Sequence, residues 1–265
     1  MREINIAFTI THDWFKYTAI TALSILCNAD ESDLYNFYVI SNEITEADKD
    51  SLRILNKVKN ANWNFIKVDD DDFKDITHNW LGCVSCYRLK LPELINADKL
   101  LYLDSDLIVL KNIAELYDYD ISDYYLAAVE DKLFEIRYVV KLRGGETYCN
   151  GGVQLINLKK FREDNMVQKI VDKLLEKGNN YTDQDVINDL CREYILSLPL
   201  KYNIARDAKG YKYRREEYMQ AISDPVILHF TPYKPWSGPE YCEDCEVWHK
   251  YEDMYIQLKA DVKSS

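Results

Sequence analysis

Apolar and polar positions alternate with a period of two from Ile4 to Ile10, the spacing of an opening strand. Thr11-His12-Asp13 then offers turn and cap chemistry, and Trp14, Phe15, Tyr17, Ile20, Leu23 and Leu26 recur at helical spacing. Tyr35 to Ile40 predicts a second strand. Thr45 caps a helix through Ala47, Leu52, Leu55 and Val58, and Trp63 to Val68 predicts a third strand. Strand and helix alternating over so short a stretch implies right-handed crossovers and a parallel sheet. The acidic run Asp69 to Asp72 reads as a solvated loop. Cys86 to Leu91 opens a helix that feeds Leu100 to Leu110, an apolar run interrupted only by Asp104, Ser105 and Asp106. Its apolar flanks read as a strand buried on both faces.

Downstream, Leu126 to Val129 predicts a strand ending at Glu130-Asp131, and the segment through Arg143-Gly144-Gly145 a helix and then a turn. Asn150 to Leu158 predicts a strand that begins on adjacent glycines, Gly151 and Gly152, where backbone can approach a ligand closely. Lys159 to Leu175 predicts one amphipathic helix, and Thr182 an N-cap with acids in the first turn behind it. Ile195 to Leu198 and Val226 to Phe230 predict two more strands, with a basic, Tyr-rich loop over the site from Tyr202 to Glu217. A closing helix runs through Trp248, Tyr251, Met254, Ile256 and Leu258. The expected fold class is α/β, a mostly parallel sheet with helices on both faces. No linker or repeat interrupts it, so one domain is expected over 1–265, with a core over 1–236 and a helical segment over 237–265.

Two carboxylates inside an apolar run are costly to desolvate unless something neutralises them. Strand alternation puts Asp104 and Asp106 on one side and Ser105 on the other. Two hard oxygen ligands at a strand end suit Mg²⁺ or Mn²⁺. The alternative is an Asp-Ser-Asp turn between two strands, each Asp bonding its own backbone. His229 ends an apolar strand as a core histidine or a metal ligand. Lys234, between Pro232 and Pro235, sits in a stiff loop that can hold one cation against a phosphate. Arg88 can reach an acidic cluster or a phosphate, or make a surface ion pair.

The 265 residues carry a formal net charge of −12, which argues against nucleic-acid binding. An acidic enzyme handling an anionic nucleotide needs local compensation from a metal or a placed Lys. The 21 tyrosines suit sugar and base recognition but serve equally as core and surface. Met1-Arg2-Glu3 leads into a strand pattern rather than an apolar leader, and no apolar run could span a bilayer, so the expectation is a soluble cytoplasmic protein. The seven cysteines are expected as free thiols, with Cys83/Cys86 and Cys242/Cys245 at zinc-like spacing but without a compact knuckle. The first strand lacks a Gly-rich fingerprint, which argues against a dinucleotide site or P-loop there.

The order of motifs adds what no single one supplies. Tyr87-Arg88-Leu89-Lys90-Leu91, Leu101-Tyr102-Leu103-Asp104-Ser105-Asp106, Asn150-Gly151-Gly152-Val153 with Leu155-Ile156-Asn157-Leu158, Asp183-Gln184-Asp185, and His229-Phe230-Thr231 with Lys234-Pro235-Trp236 follow one another along the chain. From about Ile4 to Trp236 the sequence resembles glycosyltransferase family 8, the group of bacterial lipopolysaccharide α-galactosyl- and α-glucosyltransferases and glycogenin. The resemblance implies a Rossmann-like A-type glycosyltransferase fold. It also implies retaining transfer of a hexose from UDP-glucose or UDP-galactose to a glycan, lipopolysaccharide-type or protein acceptor, with Mn²⁺ or Mg²⁺. At the matching positions Asp104, Asp106 and His229 would ligate the metal and Lys234 would help the leaving UDP. Arg88, Asp131, Asn150, Asp183 and Gln184 would surround the donor sugar, with Ser105, Gly151, Gly152 and Asp185 in the same motifs. Thr9, Thr11 and Asp13 would hold the uridine.

An amide is a poor nucleophile, so Gln184 is expected as electrostatic support for same-face attack. Two positions depart from the family pattern: Thr11 stands where an acid is common, and Pro232 where Gly is usual. The strongly basic tail that attaches some relatives to membranes is missing, so membrane contact is not expected. Two other readings remain: a nucleotidyltransferase or sugar-nucleotide hydrolase on a similar sheet, and a non-catalytic sugar-binding protein. Acceptor recognition is expected on Lys132 to Tyr148 and Ile204 to Tyr218.

Overall fold

The computed structural model describes residues 2–76, 83–131, 148–176, 181–205, 215–237 and 244–263. In the first half the strands are β1 (Arg2–Ile10), β2 (Asp33–Ser41), β3 (Ala61–Lys67), β4 (Lys99–Leu103) and β5 (Leu107–Val109), and the helices α1 (Phe15–Cys27), α2 (Glu46–Arg53), α3 (Val84–Tyr87), α4 (Leu91–Leu94) and α5 (Ala114–Tyr117). In the second half they are β6 (Leu126–Glu130), β7 (Cys149–Asn157), β8 (Ile195–Leu198), β9 (Ile204–Ala205) and β10 (Ile227–His229), with α6 (Leu158–Glu163), α7 (Met166–Leu175), α8 (Asp183–Cys191), α9 (Arg215–Ser223) and α10 (Cys245–Lys263).

Seven strands form the main sheet in the order β3-β2-β1-β4-β7-β6-β8. β3, β2, β1 and β4 run parallel, β6 and β8 run parallel, and β7 is antiparallel to both of its neighbours. The mostly parallel sheet expected from the alternation of elements is present, with helices on both faces. One face packs β1 and β2 residues such as Ile4, Ile6, Phe8 and Phe37 against α1 and α10, with Trp248 fully buried there. The other packs Ala7, Ile40, Leu100 and Tyr102 against α3, α4, α6, α7 and α8.

Four sequence readings are corrected. The run Leu100 to Leu110 is two strands, because β4 belongs to the main sheet while β5 pairs with β10 in a separate three-stranded sheet, β5-β10-β9. The break falls at Asp104–Asp106, so the carboxylates stand where the chain leaves one sheet for the other. The stretch from Lys159 to Leu175 is two helices, since Asn165 adopts the left-handed conformation (φ 51°) between α6 and α7. Tyr202 to Glu217 contains β9 and the start of α9. Cys27, Cys83, Cys86, Cys149 and Cys191 are free thiols, whereas Cys245 is disulfide-bonded, its partner lying outside the described residues. The segment through Arg143-Gly144-Gly145 and most of the two expected acceptor loops also lie outside them. Among the described residues, no helix is long and apolar enough to cross a membrane.

Candidate functional site

The small sheet is what brings the acidic motif to the histidine. β10 pairs antiparallel with β5 so that His229 lies opposite Leu107, and the Phe230 amide donates to the Asp106 carbonyl at 3.0 Å. Ligand atoms of Asp104, Asp106 and His229 thereby fall within 4.8 Å of one another. His229 Nε2 is 3.4 Å from Asp106 Oδ1 and 3.8 Å from Asp104 Oδ2, both beyond a strong hydrogen bond. Asp106 and His229 are nearly fully buried, while the Asp104 side chain keeps 28% of its surface. The Ser105 hydroxyl turns to Thr18 of α1, which it bonds at 2.8 Å, although 104–106 is the break between the strands and not strand itself. Thr21 donates to the carbonyls of Ser105 and Leu107, which ties the break between the sheets to α1.

Lys234 supplies the cation on this cluster. Its Nζ donates to Asp106 Oδ2 and to the Phe230 carbonyl, the latter at 3.1 Å, across a cis Thr231–Pro232 peptide. Trp236, two residues on, stacks on Tyr17 of α1 at 3.8 Å and lies edge-on to Trp14, which fixes the loop to the helix. Burial works against the Asp106 charge, but His229 and Lys234 outweigh it and hold this carboxyl well below the usual carboxylate range.

A second charged pair lies beside the first. Arg88 Nε meets Asp183 Oδ2 at 2.6 Å, its Nη1 donates to the Gly151 carbonyl at 2.8 Å, and Asp104 Oδ1 stands 3.7 Å away. Burial and the Asp104 charge push the Asp183 carboxyl up, with Arg88 opposing them. Gln184 accepts from the Gly151 amide through Oε1 at 2.7 Å. Gly151 and Gly152 have no room for a side chain. A Cβ on Gly152 would lie 2.3 Å from His229 Cε1 and 2.8 Å from Asp104 Oδ2; one on Gly151 would lie 2.9 Å from Arg88 Nη1.

A cleft of about 390 Å³ opens over these groups, lined by Thr9, Thr11, Trp14, Arg88, Tyr102, Asp104, Ser105, Asp106 and Lys234 among others. It sits at the carboxyl ends of β1 and β4, where open α/β sheets bind ligands. Gly151, Gly152, Gln184 and His229 adjoin its lining residues through the contacts above; Asn150 accepts from the Gly152 amide through Oδ1 at 2.9 Å and donates to Asp131 Oδ2 at 3.2 Å, which sets Asp131 further back. Two expected residues are placed differently. Asp13 is exposed and outside the cleft lining. Asp185 is buried, and its oxygens accept from the Thr182 amide and hydroxyl and from Tyr148 OH, which makes it the closing member of the α8 capping box.

Comparison with known proteins settles the family. The glycosyl transferase family 8 model matches residues 5–239. The chain belongs to glycosyl transferase family 8. A lipopolysaccharide 1,2-glucosyltransferase of Escherichia coli is 28% identical to this family member over 88% of its chain and 73% of the enzyme's own. General stress protein A of Bacillus subtilis is 24% identical over 91% and 87% respectively. The crystal structure of the galactosyltransferase LgtC in complex with donor and acceptor sugar analogs superposes with a TM-score of 0.82, at 27% identity, covering 95% of this chain and 96% of that one. The A-type glycosyltransferase fold is therefore shared, and the family 8 chain is a glycosyltransferase with an Asp-Asp-His cluster able to hold a metal.

Two polar residues have no role assigned from sequence: Tyr102, which stands inside one of the family motifs, and Asn203, which stands outside them all. Tyr102 donates to Asp104 Oδ1 at 2.7 Å and bonds the Thr9 hydroxyl at 3.1 Å. Its signal was available, since Tyr102 and Asp104 share a face by alternation. Asn203 bonds His229 Nδ1 at 2.9 Å, and nothing in its sequence surroundings marks it.

Proposed function

We propose that this family 8 member is a retaining, metal-dependent hexosyltransferase that moves glucose or galactose from its UDP-sugar to a glycan, lipopolysaccharide-type or protein acceptor. The observation that carries this reading is one cleft lined by Asp104, Asp106, Lys234 and Arg88, with His229 and Asp183 set against these groups. Two carboxylates and an imidazole nitrogen suit Mn²⁺ or Mg²⁺, and the missing Cβ at Gly152 keeps that corner open. A bound divalent ion there supplies positive charge to a diphosphate.

Lys234, held at the cluster by Asp106 and the Phe230 carbonyl, would meet the charge growing on the departing β-phosphate, and a preplaced cation stabilises such charge without reorganisation. Arg88 and Asp183, locked together, present a rigid donor and acceptor to sugar hydroxyls. The C1–O bond to the β-phosphate breaks, and an acceptor hydroxyl forms its bond to C1 on the same face. Its proton passes to the departing phosphate oxygen. Gln184 supports the positive sugar carbon as a dipole. Its Oε1 is already held by the Gly151 amide, which favours this role over a covalent one. Asp185, with its oxygens committed to Thr182 and Tyr148, is also unsuited to forming an adduct.

UDP release from a panel of UDP-sugars, with Mn²⁺ and with chelator, tests the reading, with the anomeric proton of the product followed by NMR. Turnover of one UDP-hexose that needs metal and first yields the α-anomer supports it. An inverted product, or release of UMP and sugar phosphate, sinks it in favour of inverting transfer or of pyrophosphate hydrolysis.

A further inference from the structure

The polar chain behind the cation cluster has a direction, and that direction can be read from groups whose hydrogen-bonding roles admit no choice. At one end stand two fixed partners of Asn150. The Gly152 backbone N–H can only donate, and it meets Asn150 Oδ1 at 2.9 Å. On the other side Asp131 Oδ2 accepts from Asn150 Nδ2 at 3.2 Å. Flipping the Asn150 amide would set donor against donor and acceptor against acceptor, so its orientation is determined. Asn150 Oδ1 is then what faces Asn203, and the Asn203 group 2.9 Å from it must be the donor Nδ2. The remaining end of the Asn203 amide, its carbonyl Oδ1, lies 2.9 Å from His229 Nδ1. A carbonyl oxygen only accepts, so His229 Nδ1 carries a proton.

We propose that Asn203 is a positioning residue that, oriented by Asp131 and Asn150, holds His229 as its Nδ1–H tautomer and so turns the Nε2 lone pair toward Asp104 and Asp106. The proposal rests on the reading of these three residues as a cation site. Which ring nitrogen of a histidine can ligate is set by the hydrogen bond the other makes. Outer partners of this kind typically contribute 10- to 100-fold to metal affinity. Asn203 and His229 are both nearly fully buried, so water cannot substitute readily if the amide is lost. The relay also gives Asn150 a second role, because its Oδ1 holds the Gly152 amide, and Gly152 borders both His229 and Asp104.

Two readouts test this. Long-range ¹H–¹⁵N NMR of the metal-free, histidine-labelled chain at alkaline pH reports the tautomer. His229 is assigned by its absence from His229→Gln. Mn²⁺ alone is then titrated into wild type, Asn203→Leu and Asn203→Asp. The expected result is an Nδ1–H ring in wild type, a mixed or Nε2–H ring in Asn203→Leu, and about a 10- to 100-fold loss of Mn²⁺ affinity in that variant. Asn203→Asp keeps an acceptor for Nδ1–H but loses the donor to Asn150 Oδ1, so it is expected to hold the tautomer with a loss of Mn²⁺ affinity smaller than that of Asn203→Leu, which separates the acceptor role from general misfolding. An Nε2–H ring in wild type overturns the proposal whatever the metal does. So does unchanged Mn²⁺ affinity in Asn203→Leu, or a loss in Asn203→Asp equal to that in Asn203→Leu. An Nδ1–H ring in a wild type that does not bind Mn²⁺ overturns the cation site itself, an outcome distinct from failure of the relay.

Discussion

At the scale of single residues, the two glycines and the Arg88–Asp183 pair make separable demands. Gly152→Ala forces a methyl against His229 and Asp104, and overpacking typically costs about 1–3 kcal/mol. The expected result is a large loss of Mn²⁺ affinity, read by calorimetry. Gly151→Ala presses instead on Arg88 and Gln184, and is expected to lower kcat/KM for the donor with Mn²⁺ binding retained. Equal effects of the two on metal binding would contradict this division. Arg88→Met leaves Asp183 buried and unpaired, a change that typically costs about 3–5 kcal/mol. Adding Asp183→Asn should recover most of the stability in urea melts but none of the activity. A double variant no more stable than the single one would show that the pair is not what holds this corner together. In the metal-free protein the depressed Asp106 contributes stability that is full above the ordinary Asp pKa of about 3.9. That stability is lost as pH falls through the lower folded value. Wild type should therefore lose stability faster than Asp106→Asn as pH drops below about 4 in stepped-pH urea melts. Parallel acid limbs would contradict that.

The residues that touch the proposed ion were legible because they are chemically costly where they stand. Asp104 and Asp106 interrupt an apolar run, and His229 ends another. Asn203 was not legible because an amide beside β9 carries no signal until the fold sets it against His229.

At the scale of elements, α8 and the loop after β10 hold functional groups by ordinary fold devices. The Thr182–Asp185 capping box fixes the first turn of α8, which carries Asp183 and Gln184. Removing the cap with Thr182→Val should cost about 1 kcal/mol of stability. It should also lower kcat more than thermal stability alone explains, since Gln184 loses its register. A melting shift with no change in kcat would assign the cap to the fold only. Alternation and capping rules located β1, β2, β3 and α8 from sequence because each is bounded by its own local chemistry. They missed the division of Leu100 to Leu110, since residues 100–103 and 107–110 both read as buried strand and only the distant partners, β7 and β10, decide which sheet each joins. The break between α6 and α7 was missed for a related reason: apolar spacing continues across Asn165, and only its left-handed backbone interrupts the helix.

At the scale of the whole molecule, a chain of net charge −12 is proposed to bind a dianionic diphosphate. Among the described residues, the cleft cations Lys234 and Arg88 are each already paired with a carboxylate, so these two offer little uncompensated positive charge. A divalent ion on Asp104, Asp106 and His229 would supply that missing charge and release Lys234 toward the phosphates. The most direct test is calorimetric titration of UDP into wild type and Asp106→Asn, each with Mn²⁺ and with chelator. UDP should bind wild type only with Mn²⁺, and Asp106→Asn should weaken that binding by about a hundredfold or more, at least the loss typical of an outer-shell partner. UDP binding of equal strength in chelator, or binding unchanged in Asp106→Asn, would contradict the metal-bridged diphosphate site on which the functional reading depends.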